Sequence, residues 1–167
     1  MNYLFDLGQI LTNDECISLS QKVIDAYTSN NLPAETDTNY YKNSFGGNIL
    51  ENWELCDRFI PLVEEKTGLK VDVANPYCRI YHNESTLKPH IDRVGLDWTI
   101  SVCLFTNLSS DWPLKVKVTN SNIEDFPTKV GFGSLVNGAK LEHWREPLQC
   151  NDNEYVIQLF LHYKEKI

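Results

Sequence analysis

Residues 71–83, VDVANPYCRIYHN, begin a series of short apolar stretches that sets the expected fold. β-Branched and aromatic residues fill each stretch, and Asn, Asp, Gly or Pro separates it from the next, which is typical of antiparallel strands joined by turns. No helical pattern lies between them, so a parallel sheet with alternating helices is disfavoured. The following stretches are 97–107 (DWTISVCLFTN), 113–120 (PLKVKVTN), 129–138 (KVGFGSLVNG) and 154–163 (EYVIQLFLHY). They predict a mainly β protein of the α+β class, built as an antiparallel sandwich or barrel.

Two helices are predicted ahead of this β region, after a short opening strand at Tyr3-Leu4-Phe5. Thr12 stands three residues before Glu15, which is the spacing of a capping box, and apolar residues follow at helical intervals over about 13–28. A second helical stretch covers about 50–67.

Pro61 and Gly68 are expected to limit the second helix. Proline inside a helix removes one backbone hydrogen bond, so Pro61 should break or restart it, and a glycine such as Gly68 commonly ends a helix. Between the two helices, residues 29–48 contain Asn, Pro and Gly and predict a long polar loop. Loops of this length often act as lids or binding loops.

The composition is that of a soluble globular protein. We expect a single domain over 1–167, with a helical part at about 1–68 and a β core at about 69–167. The net charge of −8 and the lack of a basic run argue against nucleic acids and anionic membranes as partners. Five cysteines without a CxxC spacing favour reduced thiols over disulfides or a zinc site. With no signal-peptide pattern and no apolar run of membrane-spanning length, a cytoplasmic location is expected.

The first candidate for chemistry lies in Lys88-Pro89-His90-Ile91-Asp92-Arg93. In an extended strand, side chains two residues apart point to the same side, so His90 and Asp92 would lie next to each other. An imidazole and a carboxylate placed in this way fill two coordination positions of one divalent metal. A third ligand on the same face would complete a 2-His-1-carboxylate site, the geometry of non-haem Fe(II) oxygenases.

His143 is the candidate for that third ligand. It lies 53 residues after His90, at the expected end of a strand. Greek-key sandwiches pair strands that are distant in sequence, so this separation is compatible with one shared site. Of the remaining histidines, His82 adjoins a predicted turn and His162 lies near the C-terminus.

Residues 77–163 resemble the double-stranded β-helix of the Fe(II)/2-oxoglutarate-dependent dioxygenases, in the branch similar to prolyl 4-hydroxylases. The resemblance implies a jelly-roll, cupin-like fold with the N-terminal helices packed on the major sheet. The matching pieces are Arg79-Ile80-Tyr81, His90-Ile91-Asp92, the strand 99–107, Val130-Gly131, His143, the final strand 155–163 and, in the first helix, residues 11–16.

The same resemblance implies the chemistry. His90, Asp92 and His143 would be the catalytic ligands of Fe(II), and the hydroxyl of Tyr81 would bind 2-oxoglutarate. With O2 as the second cosubstrate and ascorbate as a reductant, the expected reaction is hydroxylation of a C–H bond with release of succinate and CO2. The presence of Asp92, where Ala or Gly would leave room for a halide, favours hydroxylation over halogenation. The prime substrate is expected to be a peptidyl residue or a small molecule.

The chain departs from the family pattern at the 2-oxoglutarate anchor. The family normally places a basic residue at the start of the final strand, but residues 151–154 read Asn-Asp-Asn-Glu. Arginine suits the role because its planar fork binds a carboxylate through two hydrogen bonds. Arg145 and Arg79 are the two candidates, because they share a strand face with His143 and Tyr81 respectively, and Arg145 is slightly favoured.

Arg93, Trp98 and Trp144 flank the predicted ligands in sequence and are expected to bind substrate at the mouth of the site. Two other functions stay open at this point. One is a cupin-like metal protein without 2-oxoglutarate chemistry, and the other is a non-catalytic β-sandwich that serves as a binding module.

Overall fold

The computed structural model describes residues 2–37, 39–48 and 53–167. Within this part the chain forms two helices and eleven strands, which are β1 Leu4–Gln9, α1 Asn13–Thr28, β2 Tyr40–Tyr41, β3 Ser44–Gly47, α2 Trp53–Thr67, β4 Val71–Tyr81, β5 Thr86–His90, β6 Trp98–Thr106, β7 Leu114–Thr119, β8 Asn122–Phe126, β9 Phe132–Val136, β10 His143–Arg145 and β11 Val156–Glu165. Neither helix is long and apolar enough to cross a membrane.

The strands form two antiparallel sheets. The major sheet has six strands in the order β1-β9-β6-β11-β4-β3, and the minor sheet has five in the order β2-β5-β10-β7-β8. Neighbours such as β11 and β6, or β10 and β5, are far apart in sequence, as in a jelly roll. The predicted double-stranded β-helix is therefore confirmed.

Both helices pack on the outer face of the major sheet, as predicted. Every second residue of β11, from Ile157 through Leu159 to Leu161, lies on this face and is buried with Val23 of α1 and Val63 of α2. This alternation follows from the two-residue period of a strand. Burial of each such side chain stabilises the fold by about 1.5–3 kcal/mol.

The alternate residues of the same strands point between the two sheets, and most of them are polar. On β11 these are Gln158, Phe160 and His162, which line internal cavities. The corresponding residues are Tyr77, Arg79 and Tyr81 on β4, and Thr99, Ser101 and Cys103 on β6. The major sheet thus has an apolar face for the helices and a polar face for chemistry.

The first helix has the predicted bounds, and the second corrects one prediction. Pro61 does not break α2, which runs without interruption from Trp53 to Thr67. Pro61 lies on the exposed side, while Phe59 and Val63 are buried against the sheet. Their burial offsets the roughly 3 kcal/mol that an interior proline costs. Gly68 ends the helix with a φ of +72°, a value that glycine adopts most readily.

The predicted loop over 29–48 is partly wrong, because it contains two strands. Tyr40–Tyr41 pairs with β5 at one edge of the minor sheet, and Ser44–Gly47 pairs with β4 at one edge of the major sheet. The segment therefore links the two sheets at one side of the sandwich. Its pairing depends on partners far along the chain, which local composition does not reveal. The predicted start of the second helix, near residue 50, lies outside the described residues.

Candidate metal centre

Antiparallel pairing of β5 with β10 brings the three predicted ligands together. His90 and His143 are directly opposite each other in the register of these two strands. The Nε2 atoms of His90 and His143 lie 3.5 and 3.6 Å from Oδ1 of Asp92. Candidate ligand atoms of the three residues all lie within 4.8 Å of one another, and no other described residues form such a group. This is a 2-His-1-carboxylate arrangement.

Backbone carbonyls fix the orientation of both imidazoles. Nδ1 of His90 lies 2.8 Å from the carbonyl oxygen of Lys88, and Nδ1 of His143 lies 2.9 Å from that of Leu141. A carbonyl only accepts hydrogen bonds, so each Nδ1 carries the proton and each Nε2 presents a lone pair. Two lone pairs and a carboxylate then face the same point, which a cation would stabilise.

Asp92 is held in its ionised form. Burial would raise the pKa of its carboxyl, but the nearby imidazoles of His143 and His90 lower that pKa well below its usual range. The Thr99 hydroxyl donates to Oδ2 at 3.4 Å, and the Asp92 N–H donates to the carbonyl of Gly138 at 2.8 Å. The residue is therefore anionic at neutral pH and tied to the loop before β10.

Gly138 provides the space for this carboxylate, a role that sequence reasoning missed. A Cβ atom at this position would lie 2.0 Å from Asp92 Oδ2 and 3.2 Å from Cε1 of His143. No non-bonded carbon and oxygen approach so closely. Only glycine at 138 is compatible with the observed position of Asp92.

Arg145 lies on the same face of β10 as His143, and both line the cavity next to the candidate metal ligands. Its side chain is 3% exposed. Nη1 donates to the Trp112 carbonyl at 2.6 Å and to the Thr128 hydroxyl at 2.9 Å. Burial lowers the pKa of the guanidinium, and no described carboxylate forms an ion pair with it. A buried cation without a counter-ion is costly, which favours binding of an anion here.

Arg79, the second candidate anchor, is already paired. It forms an ion pair with Glu35 and donates to the Ser44 hydroxyl at 3.0 Å. Its guanidinium also lies 3.5 Å from the centre of the Tyr40 ring. All three partners belong to the segment that links the two sheets. Arg79 thus fastens this segment to β4, and its charge is neutralised without a ligand.

Tyr81 has a fully buried hydroxyl group. The residue is fully buried, and its ring packs edge-on against Trp112 at 4.9 Å between centroids. Tyr40 approaches the hydroxyl, but no hydrogen bond of good geometry forms with any described residue. Since buried polar groups are rarely left without partners, this hydroxyl also points to a missing acceptor or donor.

The site consists of an inner cavity and an outer cleft. The inner cavity, of about 80 Å³, is lined by the metal ligands and Arg145. The outer cleft, of about 380 Å³, is also lined by His90 and Asp92. His162 lines both spaces, although sequence reasoning gave it no role. Its spacing of two residues from Phe160 and four from Gln158, on the polar face of β11, is the signal that would have found it.

The three predicted mouth residues occupy different places. Arg93 is exposed and lines the outer cleft. Trp98 is 0% exposed and packs on Tyr3 and Phe5 under the helical layer, which corrects the prediction that it binds substrate. Like Ile100, Trp98 points to the helical side of β6, whereas Thr99 points into the cavity. Trp144 alternates with the cavity-lining residues of β10, and its N–H donates to Glu146.

The position of the usual anchor holds a carboxylate in this chain. Glu154 is buried just before β11, where its side chain accepts the N–H groups of Ser109 and Asn151 at 3.1 and 2.8 Å. A second anion there would be repelled. Glu154 therefore leaves no place for a carboxylate ligand at the start of β11.

Comparison with known proteins identifies the fold. No protein-family model matches the sequence, and no curated protein matches it. Among solved structures, a Pseudomonas putida prolyl 4-hydroxylase superposes with a TM-score of 0.77 at 10% identity, over 100% of this chain and 95% of that chain. A Trichoplax adhaerens prolyl hydroxylase, solved with a peptide of hypoxia-inducible factor, gives 0.70 at 13% identity, over 97% and 84%. HygX from Streptomyces hygroscopicus, solved with nickel, 2-oxoglutarate and hygromycin B, gives 0.70 at 12% identity, over 96% and 82%.

Proposed function

We propose that the protein is an Fe(II)- and 2-oxoglutarate-dependent dioxygenase that hydroxylates a C–H bond. The observation that carries this proposal is the inner cavity, in which a 2-His-1-carboxylate cluster and a buried, unpaired arginine line the same space. The fold supports it, since the similar structures include two prolyl hydroxylases and a protein solved with nickel and 2-oxoglutarate.

The donor set fits Fe(II). His90 and His143 present Nε2 lone pairs and Asp92 adds one anionic oxygen, so these three residues would hold the metal and leave room for further ligands. The two carbonyls behind the imidazoles keep these lone pairs directed at the metal position. Gly138 leaves the carboxylate free to join them.

The cavity also fits 2-oxoglutarate. Arg145 supplies a fork that binds a carboxylate through two hydrogen bonds and that lacks a counter-ion of its own. The Tyr81 hydroxyl supplies a further hydrogen bond near by. When bound, Fe(II) and 2-oxoglutarate together supply the oxidation, in which one atom of O2 enters the substrate and the other enters succinate as CO2 leaves.

The protein's own contribution is to bind, orient and exclude water. Arg145 and Tyr81 hold the cosubstrate between the sheets, while the apolar side chains of Leu114 and Phe160 limit water in the cavity. No side chain needs to act as a general base in this chemistry. A cupin-like metal protein or a binding module would have no use for a buried arginine next to the metal ligands, so neither alternative explains Arg145.

The proposal is tested by metal- and cosubstrate-dependent stabilisation, together with turnover. A ligand present at about 100 times its Kd stabilises its protein by about 2.7 kcal/mol, which raises Tm by several degrees for a domain of this size. We expect Fe(II) under anaerobic conditions to raise Tm, and 2-oxoglutarate to raise it further only when the metal is present. Succinate should then form on addition of O2 and ascorbate.

His143→Ala should lose the effects of both ligands on Tm and form no succinate. Arg58→Met, which changes an exposed arginine on α2, serves as the control. If neither Fe(II) nor 2-oxoglutarate changes the Tm of the wild type, the proposed function is wrong.

A further inference from the structure

The outer cleft carries two opposite charges that the protein does not neutralise. Asp37 and Arg93 both line the cleft, both are exposed, and neither forms an ion pair with another described residue. The cleft contains a second pair of opposite charges, Glu35 and Arg79, but these bind each other. Asp37 and Arg93 are therefore the charges that remain available to a ligand.

The two charges come from different elements around the metal ligands. Asp37 precedes β2, which pairs with the strand that ends at His90, and both residues line the cleft. Arg93 belongs to the loop after Asp92 and lines the cleft together with His162 of the major sheet. A molecule that contacts both charges therefore occupies the cleft that His90 and Asp92 also line.

His162 supplies a neutral acceptor at the floor of the cleft. Its Nδ1–H donates to the Asn75 carbonyl at 3.1 Å, which leaves Nε2 as an acceptor. The cleft thus presents an anion, a cation and a neutral acceptor around one entrance to the inner cavity. This set suits a compact polar molecule with charges of both signs.

We infer that the prime substrate is a small zwitterion of the size of a free amino acid, with its ammonium group at Asp37 and its carboxylate at Arg93. The planar fork of arginine suits the carboxylate, and Asp37 suits the ammonium as a charged acceptor. This inference rests on the proposed function and assigns its substrate class. A residue inside a polypeptide has neither charge on its main chain and would leave both partners unsatisfied.

The test is succinate formation by the Fe(II)-loaded full chain with each common L-amino acid, compared with the N-acetyl and carboxamide derivatives of any amino acid that responds. A free amino acid should stimulate succinate formation above the substrate-free rate. N-acetylation and amidation should each reduce kcat/KM roughly 10- to 150-fold, the value of one charge-assisted hydrogen bond.

Variants of Asp37 and Arg93 test which substrate group each charge binds. Asp37→Asn should remove most of the penalty of N-acetylation, and Arg93→Met should remove most of the penalty of amidation. Asp152→Asn and Arg58→Met alter exposed charges remote from the cleft and should leave both penalties intact.

We distinguish failure of the inference from failure of the proposed function by measuring, in the same samples, the binding of 2-oxoglutarate to the metal-loaded protein. If 2-oxoglutarate binds but no free amino acid stimulates succinate formation, the inference is overturned and the proposed function stands. Stimulation by N-acetylated, amidated peptides in place of free amino acids would have the same meaning. If 2-oxoglutarate does not bind at all, both the proposed function and the inference that rests on it are wrong.

Discussion

Replacing Gly138 with alanine should destroy the metal centre while adding only one methyl group. The new Cβ would lie 2.0 Å from Asp92 Oδ2, whereas an ordinary contact between two such atoms begins at 3.4 Å. The carboxylate oxygen must therefore move by about 1.4 Å, the difference between these two distances, or the loop must move by as much. Metal–ligand distances tolerate changes of about 0.2 Å. Asp92 can no longer bind in its present position.

The expected result for Gly138→Ala is a loss of metal affinity of at least about 100-fold, since changes outside the ligand set alone cost 10- to 100-fold. Titration of the metal-free protein with Ni(II) or Co(II), followed by calorimetry or by Co(II) absorption, measures it directly. The effect of Gly138→Ala is also measured in the Asp92→Ala variant, which lacks the carboxylate. Once the carboxylate is absent, Gly138→Ala should cost no further metal affinity, and the two changes should be strongly non-additive. Wild-type affinity in the single variant Gly138→Ala would refute the reasoning.

Two further predictions concern the cavity wall and the linking segment. Tyr81→Phe should leave the Tm of the metal-free protein unchanged or slightly raised, because it removes a buried hydroxyl without a good hydrogen bond. It should weaken 2-oxoglutarate binding about 2- to 13-fold, which is the value of one neutral hydrogen bond. Calorimetry that showed unchanged affinity would exclude the role of Tyr81. Burial raises the pKa of Glu35, but hydrogen bonds from the Asp37 N–H and Arg79 and the charge of Arg79 outweigh it, so the pKa is lowered. A lowered carboxyl pKa stabilises the fold above the ordinary carboxyl range and ceases to do so in acid, so Glu35→Gln should destabilise the protein at pH 7 but not below the lowered pKa. Urea unfolding at both pH values measures this, and an equal loss at both would show that the ion pair with Arg79 is not the cause.

Sequence patterns predicted the closeness of His90 and Asp92 and the β-sandwich, because both depend on local periodicity. The two-residue rule placed His90 and Asp92 on one side of the chain, and this holds although β5 ends at His90. The β-branched stretches predicted the sandwich. The capping box at Thr12 predicted the start of α1 at Asn13. These features depend on neighbours in sequence, so they are visible without coordinates.

The missed features depend on contacts between distant parts of the chain. Gly138 matters only because Asp92, from another loop, fills the space of its absent side chain. The roles of Arg79 and Arg145 differ only through their partners, since Glu35 neutralises one and no described carboxylate pairs with the other. Nearness to Asp92 in sequence misplaces Trp98, because the two-residue period of β6 turns its side chain towards the helices.

The central claim is that the metal ligands and Arg145 form one cosubstrate site, and a calorimetric titration with 2-oxoglutarate tests it most directly. The claim predicts tight binding to the Ni(II)-loaded wild type, much weaker binding without metal, and a loss of roughly 10- to 150-fold in Arg145→Met. Arg58→Met should bind as the wild type does. Undiminished affinity in Arg145→Met, or equal affinity with and without metal, would contradict the claim.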